Sequence, residues 1–297
     1  MSSVTSPDTV LNAGLESSAL FTPTGWSSGN VENTLEQGKS IAVDPEIPKG
    51  SIILSLTVLP IHIYSNDPHP EPFPGLQVEF GTSYRSFTLK CEKYDPRDSI
   101  QFFQWQVTYG TAPTGYKPEG WLSGFTPSGN VPQKVITGIG EDESIGGVTV
   151  LPIHIYNNDP NPEPWPSLRL DLTEEGDFWI TDSGQGDGPR DSIQFFEWQV
   201  LLAPANAKPR KLGWISGQTS NPNLPVSIKP AIPDGKGIVS VNVLPIHLYK
   251  NDPKPEPWPG LRVKFPTPDS FEIYSVKDDP RDSIDWFMWQ VTYANRD

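Results

Sequence analysis

Residues 150–170 read VLPIHIYNNDPNPEPWPSLRL, and the same stretch, slightly altered, starts at Val58 and again at Val243. The spacing is about 93 residues. Other blocks recur around it in a fixed order. A Gly-Trp pair comes first, at Gly25-Trp26, Gly120-Trp121 and Gly213-Trp214. A Pro-Arg-Asp-Ser-Ile block follows, at 96–100, 189–193 and 280–284. Each runs into an aromatic stretch ending Trp-Gln-Val, at Trp105, Trp198 and Trp289. Self-similarity at a fixed period means one structural unit written three times. Three equivalent units favour a multivalent binder over a single-site enzyme.

The repeat divides the chain into an N-terminal arm, 1–20, and three units, 21–112, 113–206 and 207–297. Each is long enough to bury a small core. Thr111–Lys117 and Ala203–Lys211, rich in Pro, Ala and Lys, read as linkers. The 34 prolines sit among long apolar runs, so they punctuate loops of a folded β protein rather than mark disorder. The net charge of −14 leaves no basic stripe for a phosphate backbone, so no nucleic acid partner is expected. Cys91 is the single cysteine, so no intrachain disulfide forms. No basic segment followed by an apolar one is visible in 1–20, and the apolar runs are strand-sized. The expectation is a protein without membrane insertion, cytoplasmic or released without a visible signal peptide.

Strand signals dominate and helix signals are nearly absent. Leu76, Val78 and Phe80 alternate with Gln77 and Glu79. The same alternation returns at Leu168, Leu170 and Leu172 and at Leu261, Val263 and Phe265, the pattern of a half-buried strand. Leu54, Leu56 and Val58 share one phase, and Leu59, Ile61 and Ile63 the other, with Pro60 at the change. Proline in a strand marks an edge or a bulge. A strand apolar on both faces suits one that also touches a neighbouring unit. The expected fold is all-β, an antiparallel sandwich per unit.

The order of GWSSGN (25–30), IPKGSIILSLTVLPI (47–61), LQVEF (76–80), SFTLKCEKY (86–94) and DSIQFFQWQVTY (98–109) resembles the H-type lectin domain. That family comprises snail albumen-gland agglutinins and the C-terminal domain of slime-mould discoidins. The resemblance covers most of each repeat. It implies a six-stranded antiparallel β-sandwich that assembles as a trimer and binds galactose or N-acetylgalactosamine between protomers. Three tandem modules on one chain would then pack as an intrachain pseudo-trimer and leave the chain monomeric. A 10–15-residue linker reaches ~35–50 Å, enough to join one module to the next. Tethering makes the assembly independent of concentration.

The resemblance also implies site residues. The family's arginine, on the strand after the long loop, falls at Gln77, Arg169 and Arg262. Its Gly-Asp pair in an N-terminal loop falls at Gly29-Asn30, at Gly129-Asn130 and, poorly aligned, at Ser220-Asn221, with Asn for Asp. Its aromatic on the neighbouring protomer falls at Tyr94, near Gln185 and at Asp278; of these only Tyr94 can stack on a sugar. For Arg169 and Arg262 the plainer reading is a surface ion pair with a neighbouring acid.

A second candidate is the loop Asn-Asp-Pro-x-Pro-Glu-Pro-aromatic-Pro. It holds Asp67 and Phe73 in the first copy, Asp159 and Trp165 in the second, and Asp252 and Trp258 in the third. A proline-stiffened loop arrives pre-organised, and a carboxylate, an amide and an indole can together hold a sugar. The competing reading makes the tryptophan a plug packed against the sandwich. Calcium on the acidic side chains is a third reading. The Pro-Arg-Asp block reads first as a salt-bridged turn. His62, His154 and His247 would form a metal triad only if their strands faced a common axis. No nucleophile–base pair or metalloprotease motif is present, so neither an enzyme nor a cofactor is expected. The partners expected are glycans or glycoproteins. A structural or protein-interaction module of the same fold, its sugar site lost, is the other class.

Overall fold

The computed structural model describes residues 21–34, 39–62, 75–91, 100–127, 131–154, 167–173, 176–182, 193–207, 212–220, 224–247, 258, 260–276 and 284–296. Among them the first repeat contributes β1 (Thr22–Glu32), β2 (Ser40–Val43), β3 (Ile52–His62), β4 (Leu76–Phe80), β5 (Phe87–Cys91) and β6 (Ile100–Thr111). The second contributes β7 (Gly120–Pro127), β8 (Gln133–Val135), β9 (Glu143–His154), β10 (Leu168–Leu172), β11 (Phe178–Asp182) and β12 (Ile193–Pro204). The third contributes β13 (Gly213–Ser220), β14 (Val226–Ile228), β15 (Lys236–His247), β16 (Leu261–Thr267), β17 (Ser270–Ser275) and β18 (Ile284–Asn295). One short 3-10 turn, Ala205–Ala207, is the only helical element among the described residues.

The strands form six three-stranded sheets, and every pairing is antiparallel. Each repeat holds a long sheet (β1-β6-β3, β7-β12-β9, β13-β18-β15) and a short one (β2-β5-β4, β10-β11-β8, β14-β17-β16). The architecture is sandwich-like. In the first repeat, Val58, Phe103 and Trp105 of the long sheet share a core with Leu76, Phe87 and Leu89 of the short one. The alternation at Leu76 and Val78 is realised: both are buried, Gln77 is half-buried and Glu79 is exposed.

The phase change in β3 has a different origin from the one its proline suggested. The register shifts between Ile53 and Ser55 and between Ile61 and His62, whereas Pro60 stays in register with Phe103. β3 pairs only with β6, so Pro60 lies on a sheet edge, where its missing N–H is tolerated. The strand is apolar on both faces because both are covered. Val58 faces its own core, while Leu59 joins a cluster with Leu151 and Leu244 of the other repeats.

The repeats are joined by hydrogen bonds of one repeated kind. Gln106 of the first repeat binds both backbone groups of Val243 in the third; Oε1 accepts from Val243 N at 2.9 Å. Gln199 of the second binds Val58 of the first, donating to Val58 O at 2.6 Å and accepting from Val58 N at 2.9 Å. Gln290 of the third binds Val150 of the second in the same way. The indoles follow the same order: Trp26 donates to Val241 O, Trp121 to Leu56 O and Trp214 to Val148 O. Each of these tryptophans sits in the core of the repeat it bonds to. Thr57, Thr149 and Asn242 complete the set: Thr57 Oγ1 lies 2.7 Å from Thr149 Oγ1 and 2.9 Å from Asn242 Oδ1, and Asn242 Nδ2 donates to Thr149 Oγ1 at 2.7 Å. All three are buried.

The proposed linkers prove shorter than composition suggested. β12 continues through Ala203 and Pro204, which pair with Ser144 and Glu143. Tyr116 is buried against Leu54 and Ala203.

Candidate functional site

Three of the residues singled out as ligand-binding, Gln77, Arg169 and Arg262, lie on strands at the seams where one repeat meets the next. β4 lies against β7, β10 against β13 and β16 against β1. At each seam the serine of the Gly-Trp-x-Ser-Gly stretch bonds across it. Ser28 Oγ donates to Leu261 O at 3.1 Å, Ser216 Oγ to Leu168 O at 2.9 Å, and Ser123 Oγ to Leu76 O at 3.5 Å. These carbonyls precede Arg262, Arg169 and Gln77 in sequence.

At two seams the arginine joins that bond. Arg262 Nη1 donates to Leu261 O at 2.7 Å. Arg169 Nη1 donates to Leu168 O at 2.7 Å and reaches Ser216 O across the seam at 3.5 Å. Both side chains are half-buried, which fixes where the guanidinium stands without removing it from solvent.

Across each of these two seams the arginine's charge acts on a tyrosine of the neighbouring repeat. Burial pushes the Tyr109 phenol up, Tyr274 pushes it further, and Arg262 pulls it back. Burial likewise raises Tyr293, opposed by Arg169. The equivalent position in the second repeat is Leu202, which lies at the end of β12 as Tyr109 and Tyr293 lie near the ends of β6 and β18. The repeat that meets the second one there carries Gln77 in place of arginine. The seam that lacks the arginine is therefore the seam that lacks the tyrosine.

The Arg169 seam has one more feature. Arg169 pairs with Thr181, and Asp171 with Trp179, so all four share the outer face of the short sheet. Trp179 is 39% exposed. The matching face in the third repeat carries Arg262, Lys264, Glu272 and Tyr274. There Lys264 pairs with Glu272 at 2.7 Å and lies over the Tyr274 ring. In the first repeat the face holds Gln77, Glu79, Thr88 and Lys90, with Lys90 and Glu79 ion-paired and no aromatic ring.

Other expected site residues are placed differently. Gly29-Asn30 lies inside β1 rather than in a loop. A Cβ at Gly29 would stand 2.3 Å from the Trp105 ring, and Gly124 and Gly217 stand under Trp198 and Trp289 in the same way. These glycines admit the indole of Trp-Gln-Val. The register makes Phe125, opposite Glu197, the counterpart of Asn30, opposite Gln104. Asn130 is therefore not equivalent to Asn30. Asn30 is exposed, on the same side of β1 as Trp26 and Ser28, which face the third repeat.

Trp258 is not a ligand platform. It is 3% exposed, sits in the core with Leu261 and Phe271, and lies 5.6 Å from the Phe287 ring. Its ring is a plug in that core. Tyr94, Asn130, Asp67, Asp159, Asp252 and Trp165 lie outside the described residues, as do the Pro-Arg-Asp tripeptides and the side chains of His62, His154 and His247.

Tyr109, Tyr293 and Trp179 escaped the sequence reading. The signal was the pair after Trp-Gln-Val, Thr-Tyr in two copies and Leu-Leu in the second. No described helix is long and apolar enough to cross a membrane. No known family's sequence profile matches the chain, and no curated protein matches it.

Proposed function

We propose that the chain is a multivalent carbohydrate-binding lectin. In this reading it is built of three six-stranded β-sandwiches closed as an intrachain pseudo-trimer. Its ligands are glycans carrying galactose or N-acetylgalactosamine. The observation that carries it is the placement of Arg169 and Arg262 at two seams, each guanidinium on a carbonyl that also accepts a serine of the neighbouring repeat, with Gln77 at the third.

The chemistry suits a sugar. A guanidinium fixed by its Nη1 bond presents N–H donors to hydroxyl oxygens. An aromatic ring covers the C–H face of the pyranose. At the Arg169 seam, Asp171 adds an acceptor and Trp179 an exposed ring on the same face. Closure of the repeats is supported by the sense of the glutamine and indole bonds: each repeat sends its glutamine and indole to one neighbour and receives those of the other. Two sites at distinct seams would give avidity well beyond either alone.

A glycan array with free N-acetylgalactosamine as competitor tests the reading, with calorimetry for stoichiometry. Two sugars per chain is the expected result. An array without signal would overturn it and leave a structural or protein-interaction module. Small-angle scattering showing loosely jointed beads would overturn the closed arrangement.

A further inference from the structure

At the seam between the first and third repeats lies a cavity of about 230 Å³, apart from the Arg–Tyr sites. Its walls are apolar: Phe21 and Pro23 from the first repeat, Val239 and Phe265 from the third. One charged side chain, Arg296, lines it. Arg296 Nε is buried and has no hydrogen-bond acceptor among the described residues. It lies over Gly237, 2.9 Å from where a Cβ would stand. A buried donor without an acceptor is unfavourable, and native structures rarely leave one.

The space is not a by-product of the repeat. Phe21 stands four residues before Gly25, as Tyr116 stands four before Gly120. Tyr116 is 6% exposed and donates to Leu54 O, so it fills its place in the second repeat. Phe21 is half-buried and leaves the cavity open. Arg296 too has no basic counterpart; Ala112 and Ala205 hold the matching positions.

We propose that this cavity binds a small amphipathic carboxylate, its apolar body against Phe21, Pro23 and Phe265 and its carboxylate on Arg296. A dry cavity of roughly 150 Å³ already accepts benzene, so one of about 230 Å³ takes a ring with a short acid-bearing chain. A guanidinium is the residue type best matched to a carboxylate. The site is separate from the seam sugar sites and does not depend on them.

Calorimetry of the full chain with 3-phenylpropanoate and, as a neutral match, 3-phenylpropan-1-ol tests it. One acid binds per chain, and the alcohol binds at least tenfold more weakly. Arg296→Met brings the acid down to the level of the alcohol. Pro266→Trp, which crowds the exposed rim, weakens both ligands. Equal binding of acid and alcohol by the unaltered protein overturns the proposal without recourse to a variant. No saturable binding, or acid binding unchanged in a folded Arg296→Met protein, overturns it as well.

Discussion

The carboxamide of Gln199 binds both backbone groups of Val58, 141 positions away in the chain, donating to its carbonyl at 2.6 Å and accepting from its N–H at 2.9 Å. Val58 lies on the free edge of β3, so the side chain supplies what a further strand would have supplied. An unpaired edge invites aggregation. The recurring Trp-Gln-Val motif is thus an edge cap delivered to the next repeat, and Gln106 and Gln290 do the same.

Removing one cap leaves a buried donor and a buried acceptor without partners. Gln199→Ala is expected to destabilise the chain by about 2–5 kcal/mol. Gln106→Ala and Gln290→Ala should cost similar amounts. Urea unfolding measures all three, and a loss below about 1 kcal/mol would show that the edge finds water instead.

Gly124 places the same kind of constraint inside one repeat. A Cβ there would stand 2.2 Å from the Trp198 ring. Gly124→Ala should cost roughly 1–3 kcal/mol through overpacking. Trp198→Phe removes the ring atoms that collide. The double variant should then be more stable than the sum of the two single losses predicts, which a double-mutant cycle reads directly.

How far the sequence announced this depends on what each residue does. The alternation at Leu76 and Val78 was legible because one face is buried and the other is not. The true shift near Leu54 was not, because both faces of β3 are covered and apolar residues fill either phase. Pro60 drew the eye for a sound reason, a sheet edge, and for a wrong one, a bulge. Trp258 admits two readings from the sequence, ligand platform and core plug, and its burial decides for the plug. Tyr109 and Tyr293 carry no signal of their own in the sequence, because they end an apolar strand. Only the pairing of repeats put an arginine beside each, and pairing is a tertiary fact.

The seam arginines should be separable. Arg169→Met and Arg262→Met are each expected to remove one of two sugar sites, at about 1.5–3 kcal/mol per charged hydrogen bond lost. Gln77→Ala should leave affinity unchanged. Calorimetric stoichiometry falling from two to one in each arginine variant is the expected readout. Sugar binding unaffected by both would remove the arginines from the site.

Trp258→Ala should act on stability rather than binding. A fully buried indole lost from a core costs about 3–5 kcal/mol. Trp258→Phe keeps most of the apolar contact with Phe287, so it should retain sugar binding in a folded chain. Lost binding in that variant at unchanged stability would return Trp258 to the ligand site.

Alkaline pH, with Tyr116→Phe for comparison, tests the burial of Tyr116. Burial alone pushes its phenol well above the ordinary range. In the unfolded chain the phenol ionises near pH ~10. Above that pH the unfolded state has released a proton that the folded state still holds, so folding stability falls as pH rises. Below it the contribution is fully present. Tyr109 and Tyr293 are raised in the same direction and add to the decline. Tyr116→Phe removes one term from this sum. Its hydroxyl makes only a long bond, 3.5 Å to Leu54 O, so the variant should lose less than about 1 kcal/mol at pH ~8. Between pH ~9 and ~11 it should lose stability less steeply than the unaltered chain. Parallel slopes in urea unfolding across that range would mean that Tyr116 ionises in the folded protein as freely as in water, and that the packing around Leu54 opens to admit it.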